Sequence, residues 1–455
     1  MTTYEDERLE SQIAEWRSYM RRRREFTDTD SDELEDHLRD QIAELTEAGL
    51  HTDESFLIAV KRMGSVDELS REFAQEHSDR LWKQLVMPPD TGAATRAASR
   101  HDLLVVIVCA VAAALAIKVP AAFGLDFSAD AGFYQRNLAL FALPPLAAYF
   151  CWRRRVRPGV IATVAGLFLV GAVAVNAYPT PEDSQTHVLT AIHLPLALWL
   201  VVGVAYAAGD WRSDRRRMDF IRFTGEWFIY FVLIALGGGV LTAFTSVIFN
   251  EIGIDTAPLI ENWLLPCGAM AAVVVSAWLV EAKQSVIENM APVLTRLFTP
   301  LFTVLLLAFL AAMPWTGLGL NIERDILIVF DLLLVVVLGL LLYAISARDS
   351  ASPPRMFDRV QLALVVSAML IDAIVLFAIV SRITEWGFTP NKTAALGENL
   401  ILLTNLAWSA WLLLQFVRGR MRFTALERWQ TGYVSVYAVW AWTVVLVFPL
   451  VFEFA

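Results

Sequence analysis

The sequence predicts an all-α fold: a polytopic α-helical membrane bundle of about eleven spans, preceded by a small cytoplasmic helical domain. Three observations carry this reading. Of 455 residues, 56% are apolar and only 18% are charged, a balance that soluble domains of this length do not show. The apolar residues fall in repeated runs of about 20, the length that crosses a ~30 Å hydrocarbon core at about 1.5 Å per residue. The acidity is confined to one end. Residues 1–100 hold 23 Asp and Glu against 14 Lys and Arg, which accounts for −9 of the formal net charge of −10. The expected division is a domain at 1–87, a linker at 88–101 and a bundle at 102–455.

In the N-terminal domain, four short amphipathic helices are expected. Leu9, Ile13, Trp16 and Met20 recur at helical spacing. So do Leu34, Leu38, Ile42 and Leu45, after Asp30 and Glu33 at capping-box spacing. Gly49 supplies a left-handed stop. Thr52 caps a third helix carrying Phe56, Val60 and Met63, closed by Gly64. Ser65 and Glu68 open a fourth, with Leu69 and Phe73. Each helix has one apolar stripe, so the four pack on each other or on a partner. Pro88–Arg100, rich in Pro, Ala, Thr and Gly, reads as the linker.

Residues 33–74, "ELEDHLRDQIAELTEAGLHTDESFLIAVKRMGSVDELSREFA", resemble the bacterial permease prefix domain. The likeness lies in the acidic helix, the turn at Ala48–Leu50, the Asp53–Glu54 helix start and the "MGS" turn before Val66–Glu68. It implies a cytoplasmic accessory or regulatory module on a membrane protein, with a cytoplasmic protein as the partner of residues 1–87.

Spans are expected at about 102–124, 137–152, 158–177, 187–208, 227–249, 261–281, 299–315, 325–346, 359–381, 397–417 and 431–453. The even-numbered gaps are basic. Arg153–Arg155 and Arg157 occupy one. Arg212, Arg215–Arg217 and Arg222 occupy the next. Lys283 and Arg296 follow, then Arg348, Arg355 and Arg359, then Arg418, Arg420, Arg422 and Arg428. The odd gaps hold only Arg136, Arg324, Arg382 and Lys392. An eighteen-to-four bias places the N-terminus in the cytoplasm and Ala455 outside. Met1–Arg24 is charged and carries no cleavable signal, so insertion into the cell (inner) membrane falls to the first span. Trp152, Trp211, Trp227, Trp263, Trp315, Trp386 and Trp429 sit near span ends, where an indole keeps one wet edge. No GxxxG pair is present. Gly237–Gly239 in the fifth span are expected to allow a kink or, as the favoured use, close helix packing. Residues 283–298 place Val286, Ile287, Met290, Val293, Leu294, Leu297 and Phe298 on one face and read as an interfacial helix.

The segments "IENMAPVLTRLFTPLFTVLLLAFL" and "RDILIVFDLLLVVVLGLLLYAISARD" resemble an uncharacterised bacterial family of polytopic membrane proteins, known only by a domain-of-unknown-function label. The resemblance implies membership and no reaction.

Polar groups inside hydrocarbon are costly, so each is a functional candidate. The set is Lys118, Asn176, His193, Asp331, Asp372 and Asn405. In the orientation above, all six lie in the outer half. The spans of Asp331 and Asp372 are consecutive and antiparallel, so the two carboxyls can face each other and share a proton, or one can pair with Lys118. One reading is an outward-facing polar cavity that binds a small solute or passes protons through Asp372 and His193. The other is structural: Lys118 pairs with one Asp and the asparagines bridge helices.

Other chemistries find no support. Cys109, Cys151 and Cys267 form no CxxC. His187 and His193 are six apart, a spacing that cannot present both to one metal ion from one helix face. No GxSxG and no GxxxxGK[ST] occurs. No cofactor is expected, and an acidic head repels nucleic acid and anionic lipid. The readings carried forward are permease-like transport or sensing of an unknown small molecule, a membrane-anchored interaction protein, and an intramembrane enzyme acting on lipid or peptide.

Overall fold

The computed structural model describes residues 9–14, 28–47, 50–63, 92–127, 129–251, 254–282, 290–313, 324–348, 350 and 352–455. The described residues are helical, without a strand. The chain divides into two compact units, Met1–Leu103 and Leu104–Ala455.

The first unit contains helical residues at 9–14, then α1 (Asp28–Glu47) and α2 (Thr52–Met63). Their stripes meet as expected: Ile13, Leu38, Ile42, Leu45, Phe56 and Val60 bury one small core. Trp16, Met20, Gly49 and the helix expected from Ser65 lie outside the described residues. Thr52 is the first helical residue of α2 rather than its cap. The N–H of His51 donates to Glu54 Oε2 at 3.3 Å, one half of a capping box that places the cap at His51, one residue before the expected Thr52. The segment expected as linker is helical from Gly92, where α3 (Gly92–Ala116) starts. Ala93, Ala94, Ala97 and Ala98 outweigh the turn formers there.

Arg39 clamps this unit, donating to Glu10 at 2.6 Å and to Glu35 at 3.0 Å. The hydrogen bond from Arg39 holds the Glu10 carboxyl below its ordinary 4.5. A depressed carboxyl stabilises the fold fully above its unfolded value and loses that contribution as pH falls through the folded one. Exchange protection of the α1 amides, corrected for intrinsic pH dependence, should therefore weaken modestly as pH drops below 4.5. Arg39→Gln should remove that acid-dependent step. The effect is small because both partners are solvent-exposed.

The second unit continues with α4 (Ala131–Arg153), α5 (Pro158–Ala177), α6 (Gln185–Tyr206) and α7 (Asp214–Glu251). Next come α8 (Ala257–Ala282), α9 (Met290–Ala312), α10 (Arg324–Ser346) and α11 (Met356–Trp386). The last two long helices are α12 (Pro390–Val417) and α13 (Thr424–Leu446). Eight of these, α5 to α12, are long and apolar enough to cross a membrane. The apolar part of α3, Asp102–Ala116, is shorter. α4 and α13 carry polar residues in their second turns, Arg136 and Asn137 in one and Gln430 and Thr431 in the other. These eight helices fit a multi-pass membrane protein.

Capping explains where several helices start. Ser184 accepts from the N–H of His187 at the head of α6. Thr389 accepts from the N–H of Lys392, and Pro390 at the first helical position starts α12. Asp358 accepts from the N–H of Arg355 at 2.6 Å and fixes the first turn of α11. Asp358 also pairs with Arg348 at 3.2 Å, with side chains only 1% and 13% exposed. The Arg348 guanidinium lies over Phe416 and Phe423, at 4.8 and 4.7 Å from their ring centres. Removing one partner leaves a buried charge alone. Arg348→Met should therefore cost on the order of 3–5 kcal/mol, read as a lowered unfolding midpoint.

The bundle holds two apolar cores. One is built by α3–α8 and centres on Leu146, Phe150, Leu194, Leu198 and Phe223. The other is built by α9–α12 and the start of α13, around Leu334, Leu341, Leu364, Val375 and Leu413. The end of α13 contributes Val445 to the first core, and Leu426 near its start belongs to the second. A small cluster of Leu189, Ala394, Val444 and Phe448 joins the groups.

Two expectations change. From Met290 the anticipated interfacial segment belongs to the same helix as the following span, and residues 283–289 lie outside the described residues. Met290–Phe298 keep regular helical hydrogen bonding, so nothing separates an interfacial piece. Gly237, Gly238 and Gly239 have open space where a side chain would point, so they make no close packing among the described residues.

Candidate functional site

Five of the side chains argued below trace one polar string through α6, α12, α10 and α11. It begins at His193, 4% exposed on α6. Its Nδ1 lies 2.8 Å from the carbonyl oxygen of Leu189 and its Nε2 lies 2.7 Å from Glu398 Oε1. A carbonyl has no proton, so Nδ1–H donates to Leu189. The Nε2···Oε1 contact then holds a proton that belongs to the pair. It is either imidazolium against carboxylate or imidazole against carboxylic acid. A proton can shift along that contact without any heavy atom moving.

Glu398 is one residue from Asn399, which is fully buried on α12. The Asn399 amide donates to Asp331 Oδ1 at 3.0 Å and to the carbonyl of Ala395 at 2.8 Å. Asp331, half-buried on α10, lies close enough to Asp372 of α11 for the two carboxyls to interact electrostatically. Asp372 is fully buried, and neither carboxyl oxygen has a hydrogen-bond partner among the described residues. A carboxyl without a donor or a cation is placed to carry a proton rather than a charge. Two hydrogen-bonded pairs, His193–Glu398 and Asn399–Asp331, thus sit on adjacent residues of α12, and Asp372 lies within electrostatic reach of the second.

Gly397 positions the middle of the string. A Cβ at this position would run into the ring of Trp440, so only glycine lets α13 press on α12 beside Glu398. Gly397→Ala should force the helices apart and cost about 1–3 kcal/mol, read as a lowered midpoint of thermal unfolding.

The remaining residues singled out in the sequence lie elsewhere. Asn405 stands on α12 but faces a separate, sealed hub. Its amide donates to Gln430 Oε1 at 3.1 Å and to the hydroxyl of Tyr437 at 2.6 Å. Its oxygen accepts from Trp429 Nε1 at 2.7 Å and from Ser409 Oγ at 3.2 Å. Asn176 makes a reciprocal amide pair with Asn137, at 2.8 and 3.0 Å, that ties α5 to α4.

Lys118 pairs with neither aspartate. Its ammonium donates to the carbonyl of Asn262 and sits 4.7 Å from the ring centre of Trp263. The reason is local. Residues Ile260–Leu264 form a π-helical turn at the start of α8, and Asn262 lies inside it. Such a turn disturbs the regular ladder of the helix and offers a carbonyl to an outside donor. Lys118 is thus a clamp on α8.

Glu398, Asn399, Asn137 and Gln430 were missed because each lies at the polar border of an apolar run. Among the described residues, no group of three His, Cys, Asp or Glu side chains is arranged to hold a metal ion. No family model, no curated protein and no solved structure matches the chain, so what the site does rests on its own geometry.

Proposed function

We propose that this chain is a permease-like membrane protein that moves or senses protons, alone or with a small solute, through the string from His193 to Asp372. The observation that carries it is Asp372, a fully buried carboxyl with neither oxygen partnered among the described residues and within electrostatic reach of the Asp331 carboxyl. A bundle needing only structure would fill that position with an apolar side chain.

The location also fits. His193 belongs to the first helical group and Glu398 to the second, so the exchangeable pair bridges the two cores. Further polar contacts cross the same boundary. Arg222 donates to the carbonyl of Ser346, and Thr431 donates to Asp214. Rocking of one group against the other would make or break the His193–Glu398 contact, which is how alternating access couples a proton to movement. In this reading the chain crosses the membrane eleven times with its N-terminus in the cytoplasm. Residues 1–87 act as a permease-prefix-like module that binds a cytoplasmic regulator.

The test is proton flux. The full chain, reconstituted in vesicles with an internal pH-sensitive dye, should dissipate an imposed pH gradient faster than empty vesicles. Glu398→Gln should slow that flux markedly. Flux equal to empty vesicles, or identical in Glu398→Gln, would contradict the proposal.

A further inference from the structure

A second cluster of unmet polar groups lies apart from the string. It lines a narrow cavity between the start of α4, the end of α5 and the start of α6, closed by Pro449. Arg136, His187 and Thr190 face this cavity. The Nε of Arg136, both ring nitrogens of His187 and the Thr190 hydroxyl are buried without a partner among the described residues. His187 is 3% exposed and Thr190 is 6% exposed. Tyr178 also lines the space, but its hydroxyl already donates to the carbonyl of Leu446 at 3.2 Å. The first-turn amide of His187 is likewise spent on Ser184. What remains free is side-chain chemistry.

That chemistry has a definite sign. A guanidinium has only donors and a fixed positive charge, a hydroxyl can donate, and a neutral imidazole donates from one nitrogen. A ligand that satisfies them together is rich in acceptors and negatively charged. Glu182, the carboxylate that acts on His187, lies over Gly132 and is not part of the cavity lining. Ala174, Val175 and Pro449 supply apolar walls that exclude water and strengthen a charge-assisted bond.

We infer that this cavity, which as it stands has room for about one water molecule, widens to bind an oxyanion, a carboxylate or phosphate group, with Arg136 as the charged anchor and His187 and Thr190 as directing donors. The group can belong to a free solute or to a lipid headgroup. This site is independent of the proton string and would stand if the flux experiment failed.

The test uses the full chain, purified and delipidated in a phosphate-free maltoside detergent. Inorganic phosphate is one probe and dihexanoyl phosphatidylglycerol the other, each titrated while thermal unfolding is followed. At least one probe should raise the midpoint saturably in the wild type and equally in Arg420→Gln, an exposed charge-matched control. The apparent affinity should fall at least about tenfold in Arg136→Gln, the loss of one charge-assisted contact. A response to phosphate assigns a free solute, and a response to the lipid alone assigns a headgroup. Thr190→Val removes a single hydroxyl and should weaken binding in the same direction, so it decides the matter if Arg136→Gln does not fold. No saturable shift with either probe, or unchanged affinity in both variants, would overturn the inference.

Discussion

Asp372→Leu is expected to yield a protein that is more stable than the wild type and inactive in proton flux. The wild-type carboxyl is fully buried and neither oxygen finds a donor among the described residues. Leaving a polar group unmet in the interior costs about 1–3 kcal/mol. Its neighbours Ala368, Ile371 and Val375 are buried apolar residues of the second core. Leucine has the same branched four-atom skeleton as aspartate, so it can join that core with modest repacking around its bulkier methyls. The unfolding midpoint should rise accordingly, while flux falls to the level of protein-free vesicles. Asp372→Asn separates the two effects. It keeps the size and polarity but cannot exchange a proton, so flux should vanish with little change in stability. Loss of stability in Asp372→Leu would mean that the carboxyl has a structural role.

Asn405→Leu is expected to have the opposite outcome. This amide sits at the centre of four hydrogen bonds to Ser409, Trp429, Gln430 and Tyr437. Gln430 in turn donates to Ser409 at 2.6 Å. Asn405, Ser409 and Gln430 are fully buried. Removing the hub strands several polar atoms at once. Single hydrogen bonds between membrane helices average about 0.6 kcal/mol, but each stranded buried group adds about 1–3 kcal/mol. A loss of roughly 2–4 kcal/mol follows for the set. Folded Asn405→Leu should keep its proton flux, because the hub does not join the string. An unfolding titration beside the flux assay checks both halves. Stability within error of the wild type would show that the hub is not a structural lock.

The two residues also show what could be read from the sequence. His193, Asp331, Asp372 and Asn405 stand out because each interrupts an apolar run. Their partners do not. Glu398 and Asn399 fall at the edge of the apolar segment 397–417, and Gln430 falls one residue before the segment 431–453. Hydropathy marks where a chain prefers hydrocarbon. Backbone hydrogen bonding continues past that point until a cap, proline or glycine stops it. α12 therefore starts at Pro390 and α11 runs to Trp386, with Gly387 at φ 72° as its stop. Polar border residues are carried onto helices where they reach inward.

Lys118 fails for a different reason. Its partner carbonyl belongs to a π-helical turn, and no periodicity in residues 260–264 announces one. Pairing between helices distant in sequence is equally hidden. Nothing in the separate runs around Asn137 and Asn176 signals that two amides meet.

The most direct measurement is infrared difference spectroscopy of the reconstituted full chain, recorded between acid and alkaline pH. A proton carried by Asp372 gives a carboxylic-acid C=O band in a dry environment that changes with pH. That band should be present in the wild type, absent in Asp372→Asn and retained in Asn405→Leu. A wild-type spectrum without a pH-dependent carboxyl band, or one unchanged in Asp372→Asn, would contradict the role given to the string.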